Sequence, residues 1–287
     1  MAPAQSVLTN HRLRNWLALG ALGLARAVAG APADKPVEPF SFAVVADPHL
    51  MEKARAGTEA QGTHVERFFR CLSAMEALEG VENPEFVLVV GDIHPEELAR
   101  QRDKVRLPLH VVAGNHETPA RRKQLRQMFP DDFQINGRPA DYYSFVHKGV
   151  RFIGLCDAGS GGDHVGHLCS EDITPPGQCE WLEKEMAAPE ATKILFGHIP
   201  PHPDGGDQNM YLARNDSRFL QRLVAEKGAT AMFFGHQHQA TREYPVGPAR
   251  CFVVRSCAWN SGNAPLGFLL VTVKPDALTT RDVIVGE

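Results

Sequence analysis

Five short apolar runs, each closed by a small residue and then by a side chain able to bind metal, constrain this chain more than any other feature. The runs are 42–45, 86–90, 109–112, 194–196 and 232–234. Apart from His110 they are continuously apolar, which predicts strands covered on both faces rather than half-exposed ones. The segments that follow are Ala46-Asp47-Pro48-His49, Gly91-Asp92, Gly114-Asn115-His116-Glu117, Gly197-His198 and Gly235-His236-Gln237-His238. A small residue before each ligand permits a tight turn and a close backbone approach. Alone, Asp47-x-His49 and above all Gly91-Asp92 read as ordinary strand-ending turns, whereas Gly-Asn-His-Glu and Gly-His-Gln-His are stronger signals, because histidines after a buried strand are an odd choice at a turn. Their ordered recurrence is what singles them out. In open α/β sheets ligands gather beyond the carboxyl ends of the strands, so five such ends predict one rim built from residues far apart in sequence. Asp47, Asp92, Asn115, His49, His198, His236 and His238 form a nitrogen and oxygen donor set without thiolate, which suits Mn, Fe or Zn better than Ca or Cu(I).

Between these runs, residues 65–78, 120–129, 178–186 and 218–226 carry apolar side chains at helical spacing. Further strand-like runs at 142–146, 150–155, 250–254, 267–273 and 280–285 follow one another through turn residues, which predicts antiparallel additions. The expected fold is α/β: two mixed β-sheets packed as a sandwich with helices outside, filling a single domain over 40–287.

Ahead of that domain, His11, Arg12 and Arg14 precede an apolar stretch over 16–25 and then small residues that fit a cleavage site near residue 31. The stretch is too short to span a bilayer comfortably. Residues 1–31 are therefore expected to be an export signal, and the proline-rich 32–39 a linker, which places the mature protein in the periplasm or outside the cell. Leu13 separates the two arginines, so both a general secretory route and a degenerate twin-arginine route stay open. An oxidising compartment permits disulfides among the six cysteines. Cys169 and Cys179, bracketing a loop with Pro175, Pro176 and Gly177, are the best-placed pair, whereas Cys251 and Cys257 flank an extended stretch too long to bridge. Cys71 falls on the apolar stripe of a helix and is expected in the core. A formal charge of -4 disfavours a duplex nucleic-acid footprint, which needs clustered Lys and Arg. Oligomeric state is not encoded in any feature of the chain.

In order and spacing, D-x-H, G-D, G-N-H-[DE], G-H and G-H-x-H between Asp47 and His238 resemble the calcineurin-like metallophosphoesterase superfamily. The resemblance implies a four-layer α/β/β/α fold and a binuclear transition-metal centre of Mn, Fe or Zn. It implies that Asp47, His49 and His238 hold one metal, that Asn115, His198 and His236 hold the other, and that Asp92 bridges them. It further implies hydrolysis of a phosphoester by attack of a metal-bridging hydroxide, with His116 as the catalytic histidine that does not ligate. Glu117 is expected either to orient His116 through a hydrogen bond or to start the helix that follows. Purple acid phosphatases carry a ligating tyrosine three positions after the bridging aspartate; Pro95 stands there in this chain, which points away from that branch.

Substrate choice is expected to come from two long loops over the rim, 158–177 and 200–214. His164, His167, His202 and Arg214 are the residues on them that suit a phosphoester, and His94, two residues after Asp92, stands closer still. A resemblance to bacterial cyclic-nucleotide and glycerophosphodiester phosphodiesterases favours diesters. A phosphomonoesterase, a nucleotide pyrophosphatase and a metal-bearing non-catalytic scaffold are the alternatives. Scaffolds on this fold lose ligands, whereas all seven and His116 are present here.

Overall fold

Among the described residues, eleven of thirteen strands form two large sheets and β4 and β5 a small separate pair, with five α-helices between, and their order brings all five ligand-bearing segments to one end. The computed structural model describes residues 37–51, 53–54, 56–158, 163–206 and 208–286. The expected export signal and most of the linker lie outside the described residues. The first half comprises β1 (Phe40–Val45), α1 (His64–Glu76), β2 (Pro84–Val90), α2 (Pro95–Gln101), β3 (Leu109–Val112) and α3 (Pro119–Met128), then the short pair β4 (Gln134–Ile135) and β5 (Arg138–Pro139). It continues with β6 (Tyr143–His147), β7 (Val150–Gly154), α4 (Gln178–Met186), β8 (Thr192–Phe196), α5 (Arg214–Lys227) and β9 (Ala231–Phe234). The chain ends with β10 (Arg242–Val246), β11 (Ala249–Val253), β12 (Gly267–Lys274) and β13 (Ala277–Ile284).

One sheet has the order β13-β12-β1-β2-β3 and the other β10-β11-β9-β8-β7-β6. Strands β1, β2 and β3 are mutually parallel, as are β7, β8, β9 and β11, and the antiparallel additions sit at the edges. This is the expected sandwich of two mixed sheets with helices outside. The continuous apolar runs are its interior: every residue of β1 is buried. Phe42 stacks on Phe86 of its own sheet at 5.4 Å and meets Phe152 and Phe233 of the other sheet edge-on at 5.2 and 5.7 Å. Each such pair contributes about 0.5–1.5 kcal/mol beyond the area it buries.

Helix α1 begins at a capping box. Thr63 Oγ1 accepts the Glu66 N–H at 3.2 Å, and the Glu66 carboxylate accepts the Thr63 N–H at 2.6 Å. Its inward stripe is Phe68, Cys71, Leu72 and Met75. The disulfide joins Cys169 to Cys179 as expected, and Cys71, Cys156, Cys251 and Cys257 are free and buried. No helix among the described residues is long and apolar enough to cross a membrane.

Besides the short pair β4 and β5, which the sequence does not predict, three elements differ from expectation. Helix α2 is seven residues long, too short to show a period, and buries only Pro95 and Leu98. Strand β10 is a mostly exposed edge strand held by pairing to β11 rather than by apolar alternation. Helix α5 starts at Arg214, four residues before its apolar stripe, because Ser217 on its first turn is buried and donates to the Leu212 carbonyl at 3.0 Å.

Candidate metal centre

The ligand segments leave β1, β2 and β3 of one sheet and β8 and β9 of the other, all from carboxyl ends, and meet where the two sheets abut. Asp47, His49 and His238 offer ligand atoms that all lie within 4.8 Å of one another, and so do Asp92, His198 and His236. Within the first group, His49 Nε2 lies 3.1 Å from His238 Nε2, and His238 Nε2 lies 3.4 Å from Asp47 Oδ1. Within the second, His198 Nε2 lies 3.1 Å from His236 Nδ1 and 3.0 Å from Asn115 Oδ1. Asp92 Oδ2 stands between the groups, 3.6 Å from His49 Nε2 and 3.3 Å from His198 Nε2. Asp92 therefore has the shared position that the resemblance implies.

The backbone is bent to bring these atoms together. Asp47, His49, Asp92, His236 and His238 all have positive φ, between 43° and 71°. Such conformations cost of order 1–3 kcal/mol each in a residue with a Cβ and persist only where the surroundings enforce them. Enforcement here comes from carboxylates that accept backbone N–H groups. Asp47 accepts the His236 N–H at 3.0 Å, joining the two sheets. Glu117, fully buried, accepts the N–H groups of Asp92, Gly114 and His94 at 2.8, 2.8 and 3.0 Å. Gly114 has no alternative: a Cβ there would strike the Asp92 carboxylate.

Ring orientation is fixed from behind. His198 Nδ1–H donates to the Val90 carbonyl at 2.8 Å, and His238 Nδ1–H to the Trp259 carbonyl at 2.8 Å, which turns both Nε2 atoms to the centre. Trp259 also stacks on His238, with ring centroids 3.8 Å apart. Its loop is tied by Ser256, whose hydroxyl donates to the Asp47 carbonyl at 2.9 Å, and by the buried Arg67 of α1, which donates to the Ala258 carbonyl.

Burial opposes ionisation of Asp92, yet the imidazoles of His198, His49 and His116 outweigh it and hold the carboxyl well below its usual range. Asp47 is lowered likewise, burial being overcome by His238 and His198. Burial alone would pull His198 down, but the charges of Asp92 and Asp47 push it up to about 10. His236, desolvated and facing His198, is pulled down to about 3. Asp157 is a residue that the sequence reading missed. It follows β7 as the ligands follow their strands, is fully buried, and accepts the N–H groups of His198 and Ile199 at 2.9 and 3.1 Å. Burial pushes its carboxyl up to about 7.

Above the donors opens a cleft of about 520 Å³, partly open to solvent, lined by ligands and by His116, His164, Met210, Gln237, Trp259 and Ser261. His116 packs edge-on against His49 at 4.9 Å, and its N–H is fixed to Asp92 Oδ1 at 3.0 Å. His94 is buried beneath the rim and falls with His49 and His116 into a third group whose ligand atoms lie within 4.8 Å of one another. Glu117 acts on the backbone of the loops, and the side chain that caps α3 is Thr118. None of these bonds goes to His116, so Glu117 shows neither of the two expected roles, orienting His116 through a hydrogen bond or starting the helix, and is a positioning residue for the ligand turns. Of the expected substrate residues, His164 lines the cleft, whereas His94, His167, His202 and Arg214 are not among its lining residues. His202 staples its own loop, accepting the N–H groups of Asp204 and Gly206 on Nδ1 at 3.1 and 3.2 Å and packing on Tyr211. Arg214 is exposed on the first turn of α5. His167 faces Asp216 at 3.5 Å. The residues missed by sequence reasoning, Met210, Gln237, Trp259 and Ser261, reach the cleft through tertiary contacts that no local pattern records.

The residues present fit a pair of transition-metal ions. The donors are imidazole, carboxylate and amide oxygen, they converge from five strand ends, and Nε2 of His236 is buried without a hydrogen-bond partner among the described residues.

Residues 40–240 match the profile of the family described as calcineurin-like phosphoesterase. Among solved structures, the chain is similar to a dimetal phosphatase from Danio rerio, at 15% identity and a TM-score of 0.58 over 88% of this chain and 98% of that one. It is also similar to GAP50, the anchor in the inner membrane complex of Plasmodium, at 13% identity and a TM-score of 0.56 over 86% and 85%. A third similar structure is a putative 5'-nucleotidase from Staphylococcus aureus, at 13% identity and a TM-score of 0.55 over 87% and 55%. These identities speak to the fold alone. A search of curated protein sequences finds no match. With the family profile spanning every ligand segment from Asp47 to His238, the chain belongs to the calcineurin-like phosphoesterase family.

Proposed function

We propose that this protein is an exported phosphoesterase that hydrolyses phosphodiesters in preference to phosphomonoesters at a two-metal centre. The observation that carries the hydrolase reading is the complete donor set, in two groups joined by Asp92, with His116 beside it in an open cleft. Asp47, His49 and His238 would hold one ion, Asn115, His198 and His236 the other, and Asp92 both. When bound, such a pair supplies Lewis acidity and an activated water at neutral pH. The chain's own residues do the rest. His116, its backbone pinned to Asp92, donates a proton to the leaving oxygen or an N–H to a phosphoryl oxygen, a contribution of about 10² to 10⁴ in rate. Nδ2 of Asn115 offers a further donor to the phosphoryl group. Asp157 and Glu117 keep the ligand turns in place from below.

The preference for diesters is supported by the overall resemblance to bacterial phosphodiesterases, and export by the order of basic, apolar and small residues at the N-terminus. The test is hydrolysis of bis(p-nitrophenyl) phosphate and p-nitrophenyl phosphate by protein loaded separately with Mn, Zn and Fe. Faster turnover of the diester supports the proposal. Faster turnover of the monoester reverses the preference, and two bound metals with no hydrolysis of either ester would favour a metal-bearing scaffold.

A further inference from the structure

The loops over the cleft are not independent. Gly166 and Leu212 form a parallel bridge. Around it, Gly166 N–H donates to the Tyr211 carbonyl at 3.1 Å, Ala213 N–H to the Gly166 carbonyl at 2.9 Å, and Met210 N–H to the His164 carbonyl at 3.0 Å. One long loop is thus zipped to the other at the point where both reach the rim. Met210 is held at a φ of 72°, and its carbonyl accepts from Gln237 Nε2 at 2.8 Å. Gln237 is the residue between the ligands His236 and His238, so the backbone of His164 is tied through Met210 to the ligand turn itself.

The consequence is an exposed imidazole at a fixed place. The His164 ring lines the cleft with its centroid 5.3 Å from that of His236. His236 is 3% exposed and approaches His198 through Nδ1, which leaves its Nε2 buried and without a hydrogen-bond partner among the described residues. His116 stands in the same way beside the first donor group, 4.9 Å from His49. The cleft therefore has an imidazole on each flank, one beside His49 and one beside His236. A tetrahedral phosphoryl group seated over both donor groups presents oxygens to both flanks.

We propose that His164 is a substrate-binding residue that donates an N–H to a phosphoryl oxygen on the His236 flank, a role that rests on the phosphoesterase reading above. It recognises the oxyanion common to mono- and diesters and to inorganic phosphate, and has no part in departure of the leaving group. His116 and His164 consequently divide the work: loss of His116 falls on kcat in proportion to leaving-group basicity, whereas loss of His164 falls on KM and on product affinity.

The test uses the full chain loaded with Mn, with inorganic phosphate as the probe. His164→Ala is expected to weaken phosphate binding, read by calorimetry and by competitive inhibition, about tenfold or more, the loss of one hydrogen bond to a charged group. KM should rise with it, while the ratio of kcat between good and poor leaving groups stays as in wild type. His164→Gln, which keeps an N–H donor, should recover part of the affinity, and metal content should match wild type in both. If wild type binds phosphate and His164→Ala binds it equally well, the role of His164 is overturned while the phosphoesterase reading stands. Loss of a metal ion from His164→Ala would also overturn it, making His164 a ligand. If metal-loaded wild type neither binds phosphate nor hydrolyses an ester, the reading of the site itself falls, and this role with it.

Discussion

The Glu117 carboxylate accepts the backbone N–H of Asp92 at 2.8 Å, so the residue shared by the two donor groups is held in its left-handed turn by a side chain 25 positions further along the chain. The same carboxylate holds Gly114 and His94. Removing it leaves three buried donors unsatisfied, each costing about 1–3 kcal/mol.

Glu117→Ala is accordingly expected to destabilise the protein by about 3 kcal/mol or more and to weaken metal binding, measured by thermal unfolding and by metal analysis after dialysis. Glu117→Gln keeps one acceptor oxygen and should fall between the two. Its pH–rate profile should keep the wild-type shape, because Glu117 acts through the backbone. A lost acidic or basic limb in Glu117→Gln would make it a proton-transfer residue instead.

His116→Ala should lower kcat by about 10² to 10⁴ on an ester with a poor leaving group and much less on a p-nitrophenyl ester. Equal losses on the two would show that His116 stabilises phosphoryl charge rather than protonating the leaving oxygen.

Arg151 of β7 donates from Nε to Glu190 at 2.7 Å and from Nη1 to Glu185 of α4 at 2.7 Å, all three side chains being about one-fifth exposed. The hydrogen bond from Arg151 holds the Glu190 carboxyl below its usual value against the opposing effect of burial. A lowered folded pKa means stabilisation that is fully present above the unfolded value of about 4.3 and lost as pH falls through the folded one. Arg151→Ala should therefore cost about 1–3 kcal/mol near neutrality, and its denaturation midpoint should fall less steeply between about pH 5 and 3 than that of wild type. Parallel pH curves would show that the pair contributes no linkage.

The Cys169–Cys179 disulfide closes a loop with a sequence separation of 10 residues. Its reduction should cost about 2–3 kcal/mol, seen as a lower urea midpoint with dithiothreitol and reproduced by the double serine variant. An unchanged midpoint would show that the loop is already ordered in the unfolded chain.

What was legible in the sequence follows from where each constraint resides. The ligands could be read because each needs an apolar strand before it and a small residue at the turn, both local features, as at Gly114 and Gly197. The two sheets could be read from runs such as 86–90, whose continuity only a doubly covered strand explains. Glu117 was legible as important but not in its role, since two of its three partners, Asp92 and His94, lie on a loop distant in sequence. Asp157 escaped notice because a single aspartate after a strand has no distinctive neighbour, although its burial between His198 and Ile199 is what fixes the ligand turn. Arg214 and His202 suit a phosphate by composition, but neither lines the cleft: the first is exposed on the first turn of α5, and the second accepts the N–H groups of Asp204 and Gly206. Trp259 reaches His238 only because Ser256 and Arg67 bend its loop back, which residue types alone do not reveal.

Metal titration of wild type beside Asp92→Ala tests the two-metal centre most directly. Purified protein, stripped by chelation and titrated with Mn or Zn, should bind two ions per chain, gain about 2.7 kcal/mol of stability at a free concentration one hundred times the dissociation constant, and acquire phosphoester hydrolysis in step with occupancy. Asp92→Ala should lose tight binding in both groups and hydrolysis with it. One ion per chain in wild type, or full metal-dependent hydrolysis in Asp92→Ala, would contradict a centre in which Asp92 is shared by two ions.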